Sequence, residues 1–260
     1  LFIIKLLKMK ILLSPAKLMT LENEGNWNSN TNPQFLNRSE ILMDELKKLN
    51  SEDLQELMKI SKNLADTNVE RNMNWKPKPN KDIGKQAALV FDGEVFKGLN
   101  AGNLDEKAQK YLNENLYILS GLYGILRPSD KIMPYRLEMG TKFGVEGNKN
   151  LYEFWKDELT EFVNSKLKKN EVLLNLASVE YSKVLDDKKL KSPKIEVDFL
   201  DFKDGKLKKI MVYFKHARGL MARYCAKNNV QTIDELKLFN EENYTFDEKL
   251  STDKKLVFIR

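Results

Sequence analysis

"LYILSGLYGILRPSDKIMPYRLEMG", residues 116–140, contains two kinds of sequence in immediate succession. Its first five residues are a short apolar run of strand length. From Ser120 onward the character changes: Gly121, Gly124 and Gly140, two prolines, two tyrosines, two arginines, an aspartate and a glutamate crowd together. That part has neither the period of an amphipathic helix nor the alternation of a strand. A buried strand that runs straight into a stiff, charged loop belongs to a sheet whose strand ends carry the polar groups.

Working outward, the same strand signature recurs. "MKILLS" (9–14) reads as a buried strand ending at Pro15, and "EVLLNLAS" (171–178) as another, leaving Asn175 and Ser178 at its end. "AALVF" (87–91) has the same look. "KIEVDFLDF" and "KLKKIMVYF" flank "KDGK", an Asp-Gly hairpin turn, and "YTFDEK" with "KLVFIR" closes the chain as a further hairpin.

Helical periods lie between the strands. Ile41, Leu42, Leu46 and Leu49 share one face. Ser51 is placed to cap a second helix with the stripe Leu54, Leu57, Met58, Ser61, Leu64 and Ala65. A tight "DTN" connection at 66–68 leads to a third helix, "VERNMNW". "LDEKAQKYLNEN" and "LYEFWKDELTEFVNSKL" are helices too, the latter with Leu151, Trp155, Leu159, Phe162 and Val163 as its core face. Helices are also expected over 215–229 and in "TIDELKLF". Hairpins mixed with helices argue against a pure βαβ array. The expected fold is therefore α+β, a single compact mixed-sheet domain over 9–260 with a helical lobe at 38–80. Residues 1–8 read as an extension upstream of Met9.

Composition narrows the chemistry. A single cysteine, Cys225, leaves no intrachain disulfide framework and no multi-cysteine zinc pattern, and fits a reducing cytoplasm. With His216 the only histidine, neither a Ser-His-Asp triad nor a multi-histidine metal centre can be built. There is no G-x-x-x-x-G-K-[ST] loop and no G-x-G-x-x-G after a strand. No resident cofactor or metal is expected. No stretch reaches the roughly 18 apolar residues of a membrane-spanning helix. The net charge of +6 points toward a polyanion. Arginine is the sharper witness: of seven, Arg127, Arg136, Arg218 and Arg223 fall in two short stretches.

Those stretches supply the candidate site. In the 120–140 loop, Arg127 and Arg136 suit phosphate or carboxylate, Tyr123 or Tyr135 could stack on a base, and Asp130 and Glu138 could accept from base or sugar. In "KHARGLMARY", Lys215, Arg218 and Arg223 lie within about 140° of helical arc at an expected helix start. Ser14 and Lys17 follow the first strand; Asn175 and Ser178 follow another. Strand ends converging on one edge would assemble these groups around a single basic cleft shaped for a phosphate-bearing partner. The alternative is an enzyme acting on a nucleotide, nucleoside or modified base, with Asp130 or Glu138 as general acid or base and Lys17 and Arg218 holding an anion. Direct iron binding would have only hard oxygen ligands to use.

With "ILLSPAK" (11–17), "LSGLYGILRPSDKIMPYRLEMG" (119–140), "NLASVEY" (175–181) and "KHARGLMARY" (215–224) in this order, the chain resembles the YaaA family of bacterial peroxide-stress proteins. The resemblance runs from Met9 to Arg260. It implies a cytosolic protein that limits oxidative damage to DNA and is associated with lower free iron. It also implies a non-standard α/β fold with a positively charged cleft, a helix–hairpin–helix-like element and DNA binding. In this sequence the hairpin would fall at Asp66, Thr67 and Asn68. No glycine occurs between 26 and 83, and Asp66 would repel phosphate, so the arginine-bearing cleft is the stronger candidate.

Overall fold

The computed structural model describes residues 9–168 and 170–260, so the expectation for residues 1–8 lies outside it. Eight strands form one mixed sheet: β1 (Met9–Leu13), β2 (Leu116–Ser120), β3 (Gly124–Leu126), β4 (Val172–Leu176), β5 (Lys194–Lys203), β6 (Lys206–Lys208), β7 (Thr245–Phe246) and β8 (Lys255–Ile259). Their order is β7-β8-β5-β4-β1-β2-β3, with β6 paired to β5. The pairs β2–β1, β1–β4, β4–β5 and β5–β8 are parallel. The pairs β2–β3, β5–β6 and β7–β8 are antiparallel. This is the single mixed-sheet domain expected from the sequence.

The central strands explain themselves. Every residue of β2 and β4 is buried, as is all of β1 except Lys10, so their near-unbroken apolar sequence is what a sheet covered on both faces requires. In β5, Ile195, Val197 and Phe199 are buried while Glu196 and Asp198 alternate with them on the opposite face. Because β1, β2, β4, β5 and β8 run in one direction, their carboxyl ends share one edge of the sheet.

The principal helices are α1 (Leu36–Leu46), α2 (Ser51–Met58), α3 (Lys62–Asn74), α4 (Glu94–Leu99), α5 (Glu106–Asn115), α6 (Leu151–Lys166) and α7 (Met211–Lys227). α6 buries Leu151, Trp155, Leu159 and Val163, as its period predicts. Several expectations need correction. The cap of α2 is Asn50, not Ser51; Asn50 and Asp53 form a reciprocal capping box. The helix break expected at 66–68 lies at 59–61, where Lys59 takes a left-handed conformation (φ 52°) without glycine. Asp66, Thr67 and Asn68 are inside α3, and the fold-back buries Leu54 and Ala65 completely. "AALV" is one helical turn over Ala87–Val90, followed by a two-residue strand, Phe91–Asp92, paired with Leu18–Met19. A short, wholly buried apolar run does not distinguish strand from helix by period.

The β5–β6 hairpin turns at Asp204 and Gly205, both with positive φ, as its Asp-Gly sequence predicts. α7 begins at Met211 rather than 215. "MVYF", read from sequence as the end of the hairpin's second strand, is an unbroken apolar run that forms the first turn of α7, because β6 ends at Lys208. α7 packs on α4 at close range. A Cβ on Gly98 would strike the His216 carbonyl oxygen, and one on Gly219 that of Val95. No helix among the described residues is long and apolar enough to cross a membrane.

Candidate functional site at the carboxyl edge of the sheet

β1 and β4 end side by side, in register from Met9–Val172 to Leu13–Leu176. The next residues close a polar knot. Ser14 Oγ accepts from the Ser178 backbone N–H at 2.7 Å and lies 3.3 Å from Ser178 Oγ. Asn175 Oδ1 accepts from the Ala177 N–H, and its Nδ2 donates to Glu196 Oε2 at 2.7 Å. Ser14 and Asn175 are both buried, so they shape the strand ends from beneath.

Lys17, just beyond Ser14, reaches Glu138 Oε2 at 2.7 Å, and Arg136 donates to Oε1 of the same carboxylate at 2.8 Å. Gly121 makes this geometry possible. A Cβ there would collide with the Leu137 carbonyl, so only glycine lets the 136–138 segment lie against the end of β2. Trp155 Nε1 donates to the Gly121 carbonyl and fixes the same turn. Met19 ties the segment down from the other side, its sulfur accepting from the Tyr135 N–H at 3.4 Å.

The sheet face beyond Glu196 carries Arg218. Burial holds its guanidinium below the usual arginine range, and Asp198 and Glu196 oppose that shift. The guanidinium lies 5.1 Å from the centroid of the Phe214 ring, and its buried Nε has no hydrogen-bond partner among the described residues. Near the carboxyl edge thus stand three separate groups: Lys17, Glu138 and Arg136; Ser14 with Ser178; and Asn175 with Glu196, whose charge together with that of Asp198 acts on Arg218.

Other named residues lie elsewhere. β3 runs antiparallel to β2, with Gly124 opposite Ser120 and Leu126 opposite Ile118, so Arg127 emerges toward the amino edge. There it is locked to Asp130 by Nε and a terminal nitrogen, at 3.2 and 3.0 Å, and donates to the Asn32 carbonyl. Asp130 is 1% exposed and also accepts from Thr31 Oγ1. Burial raises its carboxyl above the ordinary value, outweighing the hydrogen bonds and the arginine charge. Of the two carboxylates considered as acid or base, only Glu138 stands in the cluster.

Tyr123 and Tyr135 are core residues, 1% and 4% exposed, and neither ring is open for a base to stack on. Trp75 Nε1 donates to the Tyr123 hydroxyl, and the Tyr135 hydroxyl shares a 2.6 Å hydrogen bond with Ser120. On α7, the earlier helix start puts Lys215, Arg218 and Arg223 past the first turn, away from the N-terminal partial charge. Lys215 is exposed, while Arg223 donates to the carbonyls of Leu99 and Asn100 at the end of α4.

One residue escapes the sequence reading. Arg71 of α3 donates weakly to the Met19 carbonyl at 3.5 Å and makes no ion pair among the described residues. Burial, then the charge of Arg136, lower its pKa. Its signal in sequence was only the rarity of arginine. The objection to the helical lobe also changes: Asp66 pairs with Lys62 within α3 instead of standing in the interhelical turn. Two open hollows, of about 940 and 710 Å³, lie away from the cluster, beside Phe35 and Lys76 and beside Lys110 and Lys227.

Comparison with known proteins adds a family. A model described as peroxide stress protein YaaA matches residues 9–250. A UPF0246 protein of Flavobacterium johnsoniae is 46% identical, covering 97% of this chain and 100% of the relative. A Marinomonas UPF0246 protein is 44% identical with 97% of each chain covered. One from Neisseria meningitidis serogroup C is 42% identical, over 97% of this chain and 98% of its own.

Proposed function

This chain belongs to the YaaA family of peroxide stress proteins, and from that premise we propose that it acts in the cytoplasm by binding DNA phosphates at the carboxyl edge of its sheet, limiting oxidative DNA damage and free iron. The observation that carries the reading is the cluster's charge. Lys17 and Arg136 share one carboxylate, Glu138; Arg71, held to the Met19 carbonyl, and Arg218 and Lys215 on α7 add positive charge without an ion pair among the described residues. Unpaired guanidinium groups held by fixed backbone suit phosphate oxygens.

Fluorescence anisotropy of duplex DNA across a salt series tests this. The log–log slope should be roughly −0.9 per phosphate neutralised. It should shrink by about one such step in K17Q or R136Q and stay unchanged in R127Q, whose side chain is engaged at the far edge. A flat salt response, or equal loss in all three variants, overturns the reading.

A further inference from the structure

We propose that Arg71 and Arg136 form a discrete pocket for a phosphomonoester, the doubly charged phosphate at a nucleotide or DNA terminus, rather than for the phosphodiester backbone. The inference rests on reading the same cluster as a phosphate site, and it names the phosphate.

Three facts carry it. Met19 stands between the two arginines' segments: its carbonyl accepts from Arg71, its sulfur accepts from the backbone N–H of Tyr135, the residue before Arg136, and the charge of Arg136 is felt at Arg71. Among the described residues both are under-used as donors: Arg136 gives one terminal nitrogen to Glu138, its buried Nε has no partner there, and Arg71 has only the long contact to Met19. The charges do not balance: among the described residues Lys17 and Arg136 share the single carboxylate of Glu138 and Arg71 makes no ion pair, an excess of two positive charges over these four groups.

Burying like-charged guanidinium groups together is costly unless an anion joins them. A diester supplies one negative charge, whereas a monoester supplies about 1.5 to 2 near pH 7 and three acceptor oxygens. Two planar forks can bind such a group from two sides. Gly121 and Trp155 fix the backbone segment that carries Arg136. Radical attack on deoxyribose breaks the DNA backbone and leaves phosphate-bearing ends, so the chemistry matches a peroxide-stress role. Free mononucleotides carry the same group.

The test compares hairpin duplexes with phosphorylated and hydroxyl ends by anisotropy, using wild type, R71K and R136K. Lysine keeps the charge but removes the fork. Wild type should prefer the phosphorylated end by about tenfold or more, and either variant should lose that preference while keeping the salt slope. In parallel, dAMP and inorganic phosphate should raise the melting temperature of wild type but not of the variants. End preference assigns the site to DNA termini. A melting shift with dAMP or phosphate, without end preference, assigns it to a free phosphate compound. If wild type shows neither, the pocket is refuted, even where salt-dependent duplex binding survives and upholds the function proposed above. Phosphate binding without duplex binding refutes that function and leaves the pocket standing.

Discussion

Lys17 Nζ lies 2.7 Å from Glu138 Oε2, joining the turn after the first strand to the far end of the glycine- and proline-rich loop. The Lys17 side chain is 61% exposed, so the pair contributes under about 1 kcal/mol to stability and mainly sets local charge. Arg136, the other partner of Glu138, has a side chain only 12% exposed, so E138Q leaves that guanidinium without its carboxylate and should melt below wild type. It should bind DNA more tightly, with a salt slope steeper by up to about 0.9, because two cations lose their internal counter-charge. If the site is instead an enzyme using Glu138 as general acid or base, E138Q keeps its ligand and loses turnover.

Asp130 predicts a pH effect on stability. Burial raises its carboxyl in the folded protein above the ordinary 3.8. A raised carboxyl favours the folded state where it is protonated. This contribution is full below 3.8 and is lost as pH rises through the folded value. Urea midpoints measured from pH 4 upward should fall with rising pH in wild type relative to D130N. Parallel profiles for the two proteins would contradict the assignment.

The α4–α7 contact predicts a packing defect. A methyl on Gly219 would occupy the space of the Val95 carbonyl oxygen, so G219A must push the two helices apart. Overpacking of this kind costs roughly 1–3 kcal/mol, which a denaturant titration would register as a lower midpoint.

Cys225 is fully buried, and burial pushes its thiol well above the usual range. It should resist alkylation in the native protein and react fully once denaturant exposes it. Rapid native labelling followed by mass spectrometry would show the opposite, a thiol open to oxidants.

How far the sequence can be read depends on what each signal encodes. The strands around Leu12, Ile118 and Leu174 were legible because their apolar runs exceed what a half-exposed strand needs. The Asp204–Gly205 turn was legible because both residues favour positive φ. The α2–α3 turn was not, because Lys59 enters the left-handed region without the usual residue. Arg127 and Arg136 look equivalent in the motif, yet β3 carries one to the amino edge before the chain returns with the other. Tyr123 and Tyr135 read as candidate stacking groups, because composition does not say which face of a loop packs inward. Arg71 became visible only through its neighbours, Met19 and Arg136.

The place of β1 between β2 and β4 governs how the chain can be made. Residues 9–13 form the middle of the sheet, but their partners are residues 116–120 and 172–176. During synthesis the first strand leaves the ribosome long before either neighbour exists, with its apolar side chains and backbone edges unmatched. Completion waits for distant segments, and closing such long loops slows folding. The nascent protein must therefore pass a prolonged stage in which a mostly apolar central strand needs temporary shelter from other chains.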